Sequence, residues 1–153
     1  MTQTVGSIRF QFEPDDDGTG KLTVTAVADG FAGVGAAWFN AADIEAFASQ
    51  LAAYPLAESG VAITGGFFDD TVRGAPSQEH VGVRVYRVGS RGQVAVQVRL
   101  ATEVREHTRP ESRHATQLEL LTTYGHLGRF ARDLLAVVKG DTPVAVLASE
   151  HLA

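Results

Sequence analysis

The 153-residue sequence predicts an α+β domain: one antiparallel β-sheet of about six to seven strands with two α-helices covering one face. Three observations predict it. Apolar and polar residues alternate over short segments separated by Gly, Asp and Pro turns, the period of half-buried strands. Two further segments repeat apolar residues at i, i+3, i+4, i+7 and i+8, the stripe of an amphipathic helix. Hydrophobic residues make up 44% of the chain and charged residues 20%, and at this length a single domain, residues 1–153, can bury about 70% of its unfolded surface.

Taken in order, Ile8, Phe10 and Phe12 point one way and Arg9, Gln11 and Glu13 the other, a first strand. Pro14 and the run Asp15-Asp16-Asp17-Gly18-Thr19-Gly20 break it. Leu22, Val24 and Ala26 oppose Thr23 and Thr25 in a second strand, and Asp29-Gly30 is a hairpin turn into a Gly/Ala-rich third strand, residues 31–39. Asn40 is placed to cap a helix, with Asp43 in its first turn near free backbone N–H groups. Ile44, Phe47, Ala48, Leu51 and Ala52 form its stripe, and Pro55 stops it. Residues 61–68 read as a short strand closed by Asp69-Asp70 and the loop from Arg73 to Ser77. Val81, Val83 and Val85 then share one face, and Val94, Val96, Val98 and Leu100 share another across the turn Gly89-Ser90-Arg91-Gly92. After a polar loop, residues 102–113, the alternation of Thr116, Leu118, Leu120 and Thr122 with Gln117 and Glu119 marks a last long strand. Thr123 caps a second helix carrying Leu127, Phe130, Ala131, Leu134, Leu135 and Val138; Gly140 ends it, and residues 143–148 are an edge strand or a tail.

The two helical stripes share one spacing, and Asn40 and Thr123 precede them by the same offset. Two strand–strand–strand–helix halves sharing one sheet would give this pattern. Any pair of amphipathic helices would also give it, so both readings stay open.

Several chemistries are excluded or disfavoured. There is no cysteine, hence no disulfide, thiolate or Cys-ligated metal. No apolar run approaches the ~20 residues of a membrane span. Met1-Thr2-Gln3-Thr4 leads straight into a strand pattern, so the expectation is a cytoplasmic protein without a signal peptide. Eighteen acidic against thirteen basic side chains, a net charge of -5, argue against non-specific nucleic-acid binding. Asp15-x-Asp17-x-Thr19-Gly20 starts like a calcium loop, but Ala26 stands where a bidentate Glu is needed, so it reads as a hairpin turn. Gly30-x-x-Gly33-x-Gly35 does not open into a helix as a phosphate loop must, and reads as glycines for a hairpin, a bulge or close packing. His80, His107, His114, His126 and His151 form no i, i+4 pair; His107 and His114 share the polar loop with Glu103, Glu106 and Glu111, which leaves a weak metal site there as the minor alternative to a mobile charged loop. No catalytic residue, metal or cofactor is predicted. Trp38 and Phe39 are expected at the sheet–helix junction, with Phe39 stapled against Ile44.

The remaining candidate is the uncovered face of the sheet. Arg9, Gln11, Arg84, Tyr86, Gln97 and Arg99 all lie opposite core positions, and Arg and Tyr suit protein interfaces because they combine contact area with directional hydrogen bonds. A solvated face with cross-strand ion pairs has the same pattern.

The order of parts carries a further indication: Gly30-Phe31-Ala32-Gly33-Val34 through Trp38, the helix Asp43-Ile44-x-x-Phe47-x-x-x-Leu51, a valine-alternating hairpin, Gln117-Leu118-Glu119-Leu120, and the helix Leu127-x-x-Phe130-x-x-x-Leu134-Leu135. This pattern resembles the small bacterial families related to WapI-type immunity proteins. The resemblance implies a cytoplasmic, non-enzymatic protein that binds and neutralises a cognate toxin, with no catalytic residue to carry over. A net charge of -5 suits steering onto a basic toxin. Two alternatives stand beside it. One is a small-molecule binder or enzyme with a pocket between sheet and helices, against which the Val, Leu and Phe of the strand interiors count. The other is a structural homodimer joined through an edge strand or residues 31–37. Monomer and homodimer both remain open, as does the choice between the sheet face and residues 102–113 as the contact surface.

Overall fold

A computed structural model describes residues 6–69 and 74–150. The chain runs β1 (Ser7–Pro14), β2 (Thr19–Ala28), β3 (Phe31–Asn40), α1 (Ala41–Leu51), β4 (Val61–Phe67), β5 (Gln78–Val88), β6 (Gln93–Ala101), a 3-10 turn (Pro110–Ser112), β7 (Ala115–Thr123), α2 (Tyr124–Lys139) and β8 (Ala145–Ala148). The fold is α+β, with every strand pair antiparallel. Met1 to Thr4, Asp70, Arg73 and His151 lie outside the described residues. Among the described residues no helix is long and apolar enough to cross a membrane.

The strands form two sheets, β3-β2-β1-β8 and β4-β5-β6-β7, rather than one. Alternation says which side of a strand is buried; it does not say which strands pair. Width decides against a single sheet. Eight strands side by side span about 34 Å, whereas two helices cover about 20 Å. Two narrower sheets bury their apolar faces against each other and against the helices instead. Ile8, Phe10, Leu22 and Val24 from the first sheet, Val83, Val85, Val96 and Val98 from the second, and Ile44, Phe47, Leu127, Phe130 and Leu134 from the helices form one core. The Phe10 ring lies parallel to Phe47 at 6.5 Å and edge-on to Phe130 at 5.1 Å, so both helices meet β1 at the centre. The valine faces of β5 and β6 are one face, with Val83 opposite Val98 and Val85 opposite Val96.

The pairing repeats. The meander β1-β2-β3 is followed by α1, and β4 then crosses to pair with β5; the meander β5-β6-β7 is followed by α2, and β8 crosses to pair with β1. Each half thus gives its last strand to the other half's sheet. The halves predicted from the helix spacing keep their element order but do not share a sheet.

Local detail follows the sequence with two corrections. Thr123 caps α2 by accepting the His126 N–H at 3.3 Å, and Gly140 ends it with φ 82°. Asn40 occupies the cap position of α1 but makes no side-chain bond to its backbone. Phe39 is buried as expected, while Trp38 is 56% exposed: Ala37 and Phe39 point inward, so alternation turns Trp38 out of the junction. Of the glycines in β3, Gly35 is the one on which sheet packing turns. A Cβ there would stand 2.4 Å from the His80 carbonyl oxygen and 3.2 Å from the Leu100 Cβ, so its absence lets β3 settle across β5 and β6.

Candidate functional site

The outer face of β4–β7 carries four of the six predicted contact residues. Strand register sets Arg84 beside Gln97 and Gln97 beside Glu119, with Arg99 beside Gln117 in the next row. Arg99 holds Glu79 at two points, Nε to Oε1 at 2.8 Å and Nη2 to Oε2 at 3.1 Å, and also donates to Gln97 Oε1 at 3.2 Å. The Thr64 hydroxyl adds a third donor to Glu79, at 2.5 Å. Space for this pair comes from Gly82, where a Cβ would meet the Glu79 and Arg99 side chains at under 3 Å. The Arg99 bond holds the Glu79 carboxyl below its ordinary range, against the opposing effect of burial. The Tyr86 hydroxyl donates to the Glu119 carboxylate, which raises the tyrosine above its usual value. The Arg84 guanidinium lies 4.6 Å from the Tyr86 ring centre. These side chains are therefore oriented by contacts within the sheet itself.

Arg9 and Gln11 are elsewhere. They lie on the outer face of β3-β2-β1-β8, Arg9 in a row with Val146, Thr25 and Val34, and Gln11 in a row with Thr23 and Ala36. The six residues do share a side relative to their own sheets. Because the two sheets meet through their inner faces, the outer ones turn away from each other, and the predicted single surface divides four against two.

Sequence reasoning missed Glu79 and Thr64. The valine alternation begins at Val81, and the register shift at Gly65/Gly66, which sets Glu79 opposite Gly66, has no counterpart in the apolar pattern.

At the β7 side of this face, Glu79, Arg99, Arg113 and Gln117 border a groove of about 290 Å³. The loop after β6 is tied down at its root. Gln78 accepts from the Val104 N–H at 2.7 Å and donates to its carbonyl at 3.0 Å, and His80 Nε2 lies 2.5 Å from Gln78 Oε1. Burial pushes the His80 imidazole down, towards its neutral form. His107 and His114 are exposed. Between α1 and β4 a second groove of about 260 Å³ is bordered by Asp43, Gln50 and Thr64. It falls just below the range of roughly 300–1,000 Å³ typical of ligand pockets.

Compared with known protein families, curated proteins and solved structures, the chain matches none.

Proposed function

We propose that this chain acts in the cytoplasm as a non-enzymatic protein-binding module whose contact surface is the outer face of β4–β7. The role its resemblance implies is immunity-like: neutralising a cognate bacterial toxin by covering it. The observation that carries the reading is the set Arg84, Tyr86, Gln97, Arg99 and Glu119. It is held in place by its own hydrogen bonds and ring contact on a face that neither helix covers. Side chains ordered in advance lose less freedom on association, which favours binding. Tyr and Arg are also the residue types that dominate interface energetics.

The test uses the chain as bait in lysate of its native host, followed by affinity measurement on the captured partner. A single partner at one-to-one stoichiometry is expected. Arg84→Glu should weaken it about tenfold or more, the size of one interface hot spot, with the melting midpoint unchanged. Arg9→Glu, on the opposite sheet, should leave the affinity as it was. Equal affinity of wild type, Arg84→Glu and Tyr86→Phe, all folded, overturns the reading, as does a folded bait that captures nothing.

A further inference from the structure

At the β4 edge of the same sheet the surface drops into a groove of about 220 Å³ bordered by Trp38, Phe39, Phe68, Asp43 and Thr64, among others. Its aromatic walls are unusual for a surface. Trp38 is 56% and Phe68 57% exposed, although they come from different parts of the chain and face one space. The indole of Trp38 is fixed, because its N–H donates to Asp15 Oδ2 at 2.9 Å. Thr64, in the groove wall, also donates to Glu79, which ties this wall to the Arg99 network.

Charge decides what such a groove can hold. Among the described residues its lining includes the Asp43 carboxylate and no cationic side chain. The nearby β1–β2 turn contributes Asp15, Asp16 and Asp17, and Lys21, across from Trp38 on β2, stands outside the lining. Aromatic ring faces attract cations, tryptophan most strongly, and a carboxylate beside them adds to that attraction. An anionic group would be repelled, and an apolar plug would strip water from Asp43, leaving its carboxylate only the long 3.4 Å bond from the Asn40 amide. We infer that the groove formed by Trp38, Phe68 and Asp43 receives a Lys or Arg side chain presented by a protein partner. The source of that side chain rests on the binding-module reading; the groove's preference for an organic cation does not.

Trp38 is the one tryptophan of the chain, so emission excited where tyrosine does not absorb reports this groove alone. The probe is the capped tripeptide acetyl-Gly-Arg-Gly-amide, with the citrulline peptide as its uncharged counterpart. A saturable change in Trp38 emission in the millimolar range is expected with arginine and none with citrulline. Added salt should weaken it. Asp43→Asn should weaken binding about threefold, and Phe68→Ala about threefold, with both variants still folded at the titration temperature. No response to arginine, or equal responses to both peptides, overturns the inference. The titration involves no partner and no residue of the Arg84 surface. Its failure therefore leaves the sheet-face reading standing, whereas a sheet face that binds nothing removes the partner and not the cation preference.

Discussion

On the outer face of β3-β2-β1-β8, Val27, Val34 and Val146 stand exposed around Arg9 and Thr25. On the outer face of β4-β5-β6-β7, the charged and hydrogen-bonded set Arg84, Tyr86, Gln97, Arg99 and Glu119 occupies the same kind of surface. The two sheets have the same strand plan, and counting back from their helix caps aligns β3 with β7 residue by residue. Val34, Ala36 and Trp38 then correspond outside to Gln117, Glu119 and Leu121, and Gly33 and Gly35 correspond inside to Thr116 and Leu118. One plan therefore carries two jobs. In the first half β3 is stripped to glycine so that it can lie against the whole second sheet. In the second half β7 keeps Thr116 and Leu118 inside and turns the polar Gln117 and Glu119 outside. Topology supplies the surfaces, and side chains decide which of them can recognise anything.

The largest effect should come from erasing the inner difference. Gly35→Val pushes a branched side chain into the His80 backbone and Leu100, and should cost about 3 kcal/mol or prevent folding. Leu118→Ala at the corresponding site of β7 should cost a comparable ~3 kcal/mol for the opposite reason, a cavity. Urea denaturation of both variants checks this; a Gly35→Val protein as stable as wild type would mean that β3 does not rest on β5 and β6.

A middle-sized effect separates the helices. Thr123→Ala removes a made cap bond and should cost about 1 kcal/mol. Asn40→Ala, where no such bond exists, should change thermal stability by less than about 0.5 kcal/mol.

The smallest effect distinguishes the networked face by pH. Glu79 is held below its ordinary carboxylate range chiefly by the Arg99 bond. Its folded pKa lies below its unfolded one, so its contribution is complete above the unfolded value and disappears as pH falls through the folded one. Both partners are partly exposed, with Glu79 28% and Arg99 38% accessible, and solvent screening limits the pair to about 0.5–1 kcal/mol. Glu79→Gln should therefore be less stable than wild type by that amount from about pH 5 upwards, and the two should converge on acidification. Parallel stability curves down to acid pH would show that the ion pair contributes nothing.

Much of this was legible in the sequence. Ile8, Phe10 and Phe12 against Arg9, Gln11 and Glu13 located β1, and the stripes beginning at Ile44 and Leu127 located both helices, because periodicity records which side of an element meets the core. The outward orientation of Arg84, Tyr86, Gln97 and Arg99 followed from the same rule. Partnership between strands was not legible. That β8 returns to pair with β1, and that β3 and β4 belong to different sheets, depends on contacts that no local period encodes. For this reason Arg9 and Gln11 were grouped with residues that face the other way. The Glu79–Arg99 pair was hidden by a register shift, and the Trp38 groove by its assembly from β3, α1 and the segment after β4.

The pairing of β8 with β1 also imposes an order on biosynthesis. Ser149 donates its backbone N–H to Gly6 and accepts one back from it through its hydroxyl, so the seam is sealed by residues 143 positions apart. While the ribosome is still making α2, β1 has its β2 neighbour but an open edge on the other side. Ile8 and Phe10 are then also without the Leu147 and Phe130 side chains that complete their core. Of the strands described, the earliest made is among the last to be finished, and the nascent chain must keep that edge from foreign strands until residue 148 has cleared the exit tunnel.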